Sequence, residues 1–106
     1  MFKKLVEFVS RDENANPITV NVVFEKSLFG KYKPKALRIN PLLNPSSVVE
    51  YWLTSVVKID SSCEAWLFRS TDSRHYTPAL TVGSNGIEEF SLMNGITLEV
   101  VSSYRI

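Results

Sequence analysis

The hydrophobic residues of this chain follow two different spacings. Between residues 44 and 58 they recur every three or four positions, which is the spacing of one face of an α-helix. The residues with this spacing are Val48, Val49, Trp52, Leu53, Val56 and Ile59. Asn44 with Pro45 suits a helix start, and Ser47 with Glu50 offers a second start as a capping box. The pattern predicts one helix over residues 44–58, stabilised by burial because its valines weaken intrinsic helicity.

Elsewhere the apolar residues alternate with polar ones, as expected for strands with one buried face. Residues 18–25 predict a strand with Ile18, Val20, Val22 and Phe24 on its buried face. Residues 36–40 predict a second strand, joined to the first through the basic turn 26–35 as a hairpin. Residues 64–69 predict a third strand, and residues 96–101 a closing strand. Residues 77–82 fit a short edge strand or an extended segment, and residues 87–92 fit a single helical turn.

The order of these elements predicts an α+β fold in which a mixed sheet of four to five strands packs on one helix. Residues 17–103 form the predicted domain, with a C-terminal tail at 104–106. Residues 1–16 are predicted to be an N-terminal extension or linker, and their spacing fits either a short amphipathic helix or an extended lead-in.

Composition narrows the class of protein. The chain has 106 residues, of which 44% are hydrophobic and 22% charged, as expected for one small globular domain. Its net charge of +1 argues against a general nucleic-acid or membrane-surface binder, which would carry a basic excess. One cysteine forms no internal disulfide, and the sequence shows no long apolar run and no secretory h-region. We therefore expect an intracellular protein, cytoplasmic or nuclear.

Several segments resemble the ubiquitin-like family. Residues 26–31 (Lys-Ser-Leu-Phe-Gly-Lys) resemble the first turn of ubiquitin, and residues 37–41 resemble its second strand, which also runs into a proline. Residues 66–68 (Trp-Leu-Phe) and 95–101 resemble its third and last strands. Residues 86–92 and 95–101 are similar to the ubiquitin-like domains embedded in ubiquitin-specific proteases, although the aromatic residue of the third strand stands one place early.

The resemblance implies a ubiquitin-like β-grasp fold and a non-catalytic protein-interaction module. Such a module would regulate or position the catalytic domain of a deubiquitinating enzyme, so a parent protein would be a ubiquitin-specific cysteine protease. The implied partner-binding patch is Leu28, Leu67 and Val101, with Phe29 projecting from the same turn as Leu28. The competing interpretation is that the N-terminal segment covers this patch. The chain contains no Gly-Gly, so we do not expect it to be conjugated.

Catalytic and metal-binding interpretations find little support. Cys63 and His75 are the only thiol and imidazole, and nothing in their spacing brings them together as a catalytic pair. Asp72 with His75 supplies too few ligands for a metal ion. Gly83 and Gly86 are typical of turns, not of a phosphate-binding loop. No catalytic residue, metal or cofactor is therefore predicted for the domain itself, and the predicted partner is another protein.

The basic turn leaves three interpretations open. Its lysines alternate with aromatic residues: Lys26, Phe29, Lys31, Tyr32, Lys33 and Lys35. They fit a solvated hairpin that protects an exposed edge, a surface that steers an acidic protein partner, or a site for single-stranded nucleic acid. The alternative function is a β-grasp adaptor of the Ras-binding or PB1 type, for which Glu88 and Glu89 are the candidate acidic cluster.

Overall fold

In the described residues, eight antiparallel strands form a single sheet in which each strand pairs with its neighbours in chain order. The computed structural model describes residues 2–70 and 76–106. The strands are β1 (Phe2–Arg11), β2 (Pro17–Lys26), β3 (Lys33–Pro41), β4 (Val49–Lys58), β5 (Glu64–Arg69), β6 (Tyr76–Gly83), β7 (Gly86–Asn94) and β8 (Val100–Arg105). This meander needs no crossover connection, because antiparallel neighbours are joined by short loops.

The sheet curls into a half-barrel. Phe8 on β1 packs edge-on against Phe90 on β7, with ring centroids 6.3 Å apart and ring planes at 65°. In a flat sheet these strands would be separated by about 29 Å, since neighbouring strands lie about 4.8 Å apart. The core fills the concave face. Its fully buried members are Ile18, Val20, Val22, Leu37, Phe68, Leu80 and Phe90.

The predicted α+β fold is wrong. The described residues contain no helix, and residues 49–58 of the predicted helix form β4. Six of the ten residues of β4 are β-branched or aromatic and therefore favour a strand. One helix-like interval of this segment arises from a β-bulge between Leu53 and Ser55. The bulge leaves Leu53 and Val56 on the same face, opposite Phe68 and Trp66, and so creates a three-residue interval within a strand.

The strands predicted over residues 18–25, 36–40 and 64–69 are confirmed as β2, β3 and β5. Residues 77–82 lie in β6, which is an inner strand and not an edge, because β5 and β7 flank it. The helical turn predicted over residues 87–92 is wrong, since these residues lie in β7. The closing strand begins at Val100, and residues 95–99 form the preceding turn. Residues 2–11 pair with β2 through ten consecutive positions and belong to the same sheet.

The curled sheet has two different ends. At one end β1 begins and the β2–β3, β4–β5 and β6–β7 loops lie. We call this end the mouth. The opposite end carries the β1–β2, β3–β4 and β7–β8 loops, together with the end of β5 and the start of β6. A cavity of about 200 Å³ lies at that opposite end, beside Asp12, Ile39 and Tyr51.

Candidate functional site: the mouth of the curled sheet

An apolar groove opens at the mouth, where β1 and β2 face β5, β6 and β7 across the curl. Its volume is about 390 Å³. The apolar side chains that line it are Val6, Phe8, Phe24, Trp66, Val82, Ile87 and Ile106. Phe24 and Trp66 meet edge to face, with ring centroids 5.8 Å apart. Alternation along each strand directs these residues to the concave face, and the curl brings them together.

Two lysines lie over aromatic rings on the β1–β2 side of the groove. The Nζ atom of Lys4 is 5.9 Å from the ring centroid of Phe24 and 5.7 Å from that of Tyr32. The Nζ atom of Lys26 is 4.8 Å from the centroid of Tyr32 and 5.4 Å from that of Phe2. Cation–π attraction, worth about 0.5–1 kcal/mol at exposed sites, favours these positions and leaves the ammonium donors available to an anion.

Half of the twelve lysine and arginine residues of the chain lie on this side of the mouth. Six of its seven lysines lie at the mouth ends of β1, β2 and β3 or in the β2–β3 loop: Lys3, Lys4, Lys26, Lys31, Lys33 and Lys35. We call these six residues, with Phe2, Phe29 and Tyr32, the lysine–aromatic surface. Glu25 is the acidic residue within it, and its carboxylate lies 3.8 Å from the Nζ atom of Lys3. The net charge of +1 conceals this separation of charge.

The opposite side of the mouth is acidic. Asp60, Glu64 and Glu88 lie close enough to Cys63 to influence its ionisation, together with the neighbouring Glu89. The side chain of Asp60 accepts hydrogen bonds from the N–H and the hydroxyl of Ser62, and these bonds lower the pKa of the carboxyl. Glu64 accepts a hydrogen bond of 2.8 Å from the indole N–H of Trp66. The mouth is therefore electrostatically polar, with lysines at β1–β3 and at the end of β4, and carboxylates in the β4–β5 loop, at the start of β5 and in β7.

Cys63 lacks the environment of a catalytic thiol. Partial burial raises the pKa of its thiol, and the nearby carboxylates of Asp60, Glu88 and Glu64 raise it further. A nucleophilic cysteine needs the opposite, since the thiolate is the reactive form. The predicted loop residues Asp72 and His75 lie outside the described residues. Within residues 2–70 and 76–106, no cluster of three or more His, Cys, Asp or Glu side chains is arranged to hold a metal ion.

The predicted partner-binding patch lies on three separate elements. Leu28 and Phe29 are exposed in the β2–β3 loop, and Phe29 has 96% of its surface accessible. Leu67 is partly buried in β5 and pairs with Ala79 of β6. Val101 is exposed in β8, which two strands separate from β5. Their grouping depends on the helix-packed fold, and the curled sheet places them in the β2–β3 loop, β5 and β8 instead.

Lys31, Lys33 and Lys35 do lie together with the predicted Phe29, in the β2–β3 loop and at the start of β3. A cavity of about 310 Å³ lies beside them, lined by Glu25, Lys26, Ser27, Lys33, Pro34 and Lys35. The contribution of β1, which supplies Phe2 and Lys4, was not predicted from the sequence. The signal was present, because Phe2, Lys4, Val6 and Phe8 share the two-residue spacing of β2.

Comparison of this chain with protein-family models, with curated proteins and with solved structures finds no match. The site is therefore interpreted from its own geometry. None of the described residues forms a helix of the length and apolar character needed to cross a bilayer.

Proposed function

We propose that this chain is a non-catalytic binding domain that recognises an acidic protein segment at the lysine–aromatic surface. The observation that carries the proposal is the pair of lysines held over aromatic rings, Lys4 over Phe24 and Tyr32 and Lys26 over Phe2 and Tyr32. Carboxylates of a partner would pair with these ammonium groups. Apolar side chains of the same segment would pack on the exposed Phe29 and in the groove beside Trp66.

The arrangement of charge supports an acidic partner of defined orientation. Positive potential at β1–β3 attracts a negatively charged segment and speeds its encounter, whereas the carboxylates of Asp60, Glu64 and Glu88 repel it from the other side of the mouth. Exposed ion pairs contribute only about 0.2–1 kcal/mol each, so we expect a weak, salt-dependent interaction. The deubiquitinase role implied by the sequence resemblance relied on a helix-packed fold, and the proposal is limited to binding.

The test is a binding titration with a fluorescent, amidated peptide of four Glu-Val repeats at low ionic strength. We expect saturable binding that weakens as salt is added, because screening shortens the range of charge attraction. The double variant Lys26→Glu, Lys31→Glu should bind at least about tenfold more weakly, which corresponds to about 1.4 kcal/mol. Arg69→Glu is a control, since Arg69 ends β5 at the opposite end of the sheet and its reversal makes the same charge change per residue.

Two further probes test whether binding depends on the negative charge of the peptide and whether the surface binds nucleic acid instead. A peptide of four Lys-Val repeats should not bind, because it carries the charge of the surface itself. A twelve-nucleotide thymidine oligomer tests whether the rings and lysines instead serve single-stranded nucleic acid. Tight binding of the oligomer with no binding of the acidic peptide would contradict the proposal.

A further inference from the structure

Strand β4 has a free edge in the middle of the sheet. It pairs with β3 only from Val49 to Trp52, although it pairs with β5 as far as Lys58. The register of β3 would next place Lys35 and Lys33 opposite Leu53 and Ser55, and no pairing occurs there. In the part of the chain that the structure describes, no other strand takes that side of β4. Residues 54–58 are therefore an open edge, which we call the β4 edge.

The exposure of these residues agrees with an open edge. All five are exposed, whereas the preceding Tyr51 is buried. Val56 and Val57 expose 51% and 48% of their surfaces although both lie in a strand. Alternate residues of an antiparallel strand direct their N–H and C=O groups to opposite neighbours. About half of the backbone N–H and C=O groups of residues 54–58 therefore face solvent, because no neighbouring strand is there to hydrogen-bond with them.

Two sequence features end the pairing of β3 with β4 at this point. Pro34 has no N–H to donate and stands two residues before Ala36, the first residue of β3 that pairs with β4. The bulge between Leu53 and Ser55 changes the direction of β4 just beyond Trp52. Together they separate the β2–β3 hairpin from the β4–β5 hairpin at the mouth.

We propose that the acidic segment docks at the β4 edge as an added β-strand. This inference rests on the proposed function and names the binding mode of the same partner. Main-chain hydrogen bonds to residues 54–58 would supply affinity, as in other strand-addition complexes. Val56 and Val57 point to opposite faces of the sheet and would pack against alternate side chains of the segment.

The lysines around the β4 edge favour an acidic segment as the added strand. Lys33 and Lys35 border the opening on the β3 side, and Lys58 ends the β4 edge. The opening also adjoins the lysine-lined cavity beside Pro34. A second copy of the chain would bring its own lysines against these, which is repulsive. A strand of alternating carboxylate and β-branched residues fits both the charge and the valines of the edge.

The experiment compares the amidated peptide of four Glu-Val repeats with the same peptide N-methylated at its four central residues. Methylation removes the N–H donors on both edges of the peptide and keeps its charge. We expect the methylated peptide to bind the full chain at least about tenfold more weakly. Amide hydrogen exchange resolved by NMR gives the second readout, since alternate amides within residues 54–58 should exchange at least about tenfold more slowly with the unmethylated peptide.

The outcomes separate this inference from the proposed function. Slowed exchange at the β4 edge that requires the unmethylated peptide supports the inference. Binding of either peptide without slowed exchange at residues 54–58 overturns strand addition and leaves the acidic-segment proposal standing. If neither peptide binds at low ionic strength, both proposals are overturned. The matched variants Lys35→Glu and Arg69→Glu check the charge contribution, and only the first should weaken binding.

Discussion

Phe8 on the first strand packs edge-on against Phe90 on the seventh, so two strands that are distant in the order of the sheet meet across its concave face. This contact closes one side of the core. It also fixes the curl that sets β1 opposite β7 and forms the groove at the mouth. Phe90 is fully buried, whereas Phe8 is partly exposed at the edge strand.

We predict that Phe90→Ala lowers the free energy of unfolding by about 3–5 kcal/mol, because it leaves a cavity and removes an aromatic pair. The double-mutant cycle of Phe8→Ala and Phe90→Ala should give a coupling energy of about 0.5–1.5 kcal/mol. Urea denaturation of the four proteins measures both quantities. Phe29→Ala is the control, since removal of this exposed ring should change stability by less than about 0.5 kcal/mol. Strictly additive effects of Phe8 and Phe90 would show that the contact is absent.

The β1–β2 turn stores backbone strain at Ala15. This residue has a φ of 62°, in the left-handed region that glycine adopts more readily. Hydrogen bonds to Asp12 hold the turn, because its carboxylate accepts from the N–H groups of Asn14 and Asn16. We predict that Ala15→Gly raises the melting temperature slightly, with a gain of up to about 1 kcal/mol. Scanning calorimetry measures the change, and a clear decrease in stability would contradict the assigned conformation.

Gly86 begins β7 with a φ of 108°, so a substitution there should change stability in the opposite direction. A β-carbon at this position would meet no neighbouring atom, so steric crowding plays no part. We predict that Gly86→Ala destabilises the fold by about 1–3 kcal/mol through backbone strain alone. Parallel denaturation of Gly86→Ala and Ala15→Gly compares the two signs. Unchanged stability of Gly86→Ala would mean that this turn adopts another conformation.

The environment of Cys63 predicts slow reaction with alkylating reagents near neutral pH. Partial burial and the surrounding carboxylates raise the pKa of the thiol, so less thiolate is present than in an unperturbed cysteine at the same pH. The rate with iodoacetamide should rise with pH along a curve displaced to higher pH than that of N-acetylcysteine. Glu64→Gln should shift the curve back toward lower pH, since it removes one negative neighbour. A midpoint below that of N-acetylcysteine would contradict this electrostatic description.

The strands in which apolar and polar residues alternate without interruption could be predicted from the sequence. In β2 the residues Ile18, Val20, Val22 and Phe24 share one face, and no helix has that spacing. Prediction failed where a bulge changed the period, as at Leu53 and Val56 in β4. It failed again in β7, where the buried residues Phe90, Ser91 and Leu92 are consecutive. Burial on both faces removes the alternation that identifies a strand.

The candidate site could be predicted only in part. The lysines of the β2–β3 loop are adjacent in the chain, so their cluster is visible in the sequence. Trp66 and Phe24 lie on strands far apart in sequence, and only the curl of the sheet brings their rings into contact. Lys4 falls in the predicted N-terminal extension, and its position over Tyr32 depends on the pairing of β1 with β2. Non-local pairing of this kind leaves no short-range pattern.

The central claim is that the lysine–aromatic surface at the mouth binds an acidic segment, and residue-resolved NMR tests it most directly. Titration of the labelled protein with the peptide of four Glu-Val repeats should shift amide signals of β1, β2 and β3 near Lys4, Lys26 and Lys33, and leave those near Arg11 and Asn44 unchanged. Shifts confined to the opposite end of the sheet, or no shifts at low ionic strength, would contradict the account.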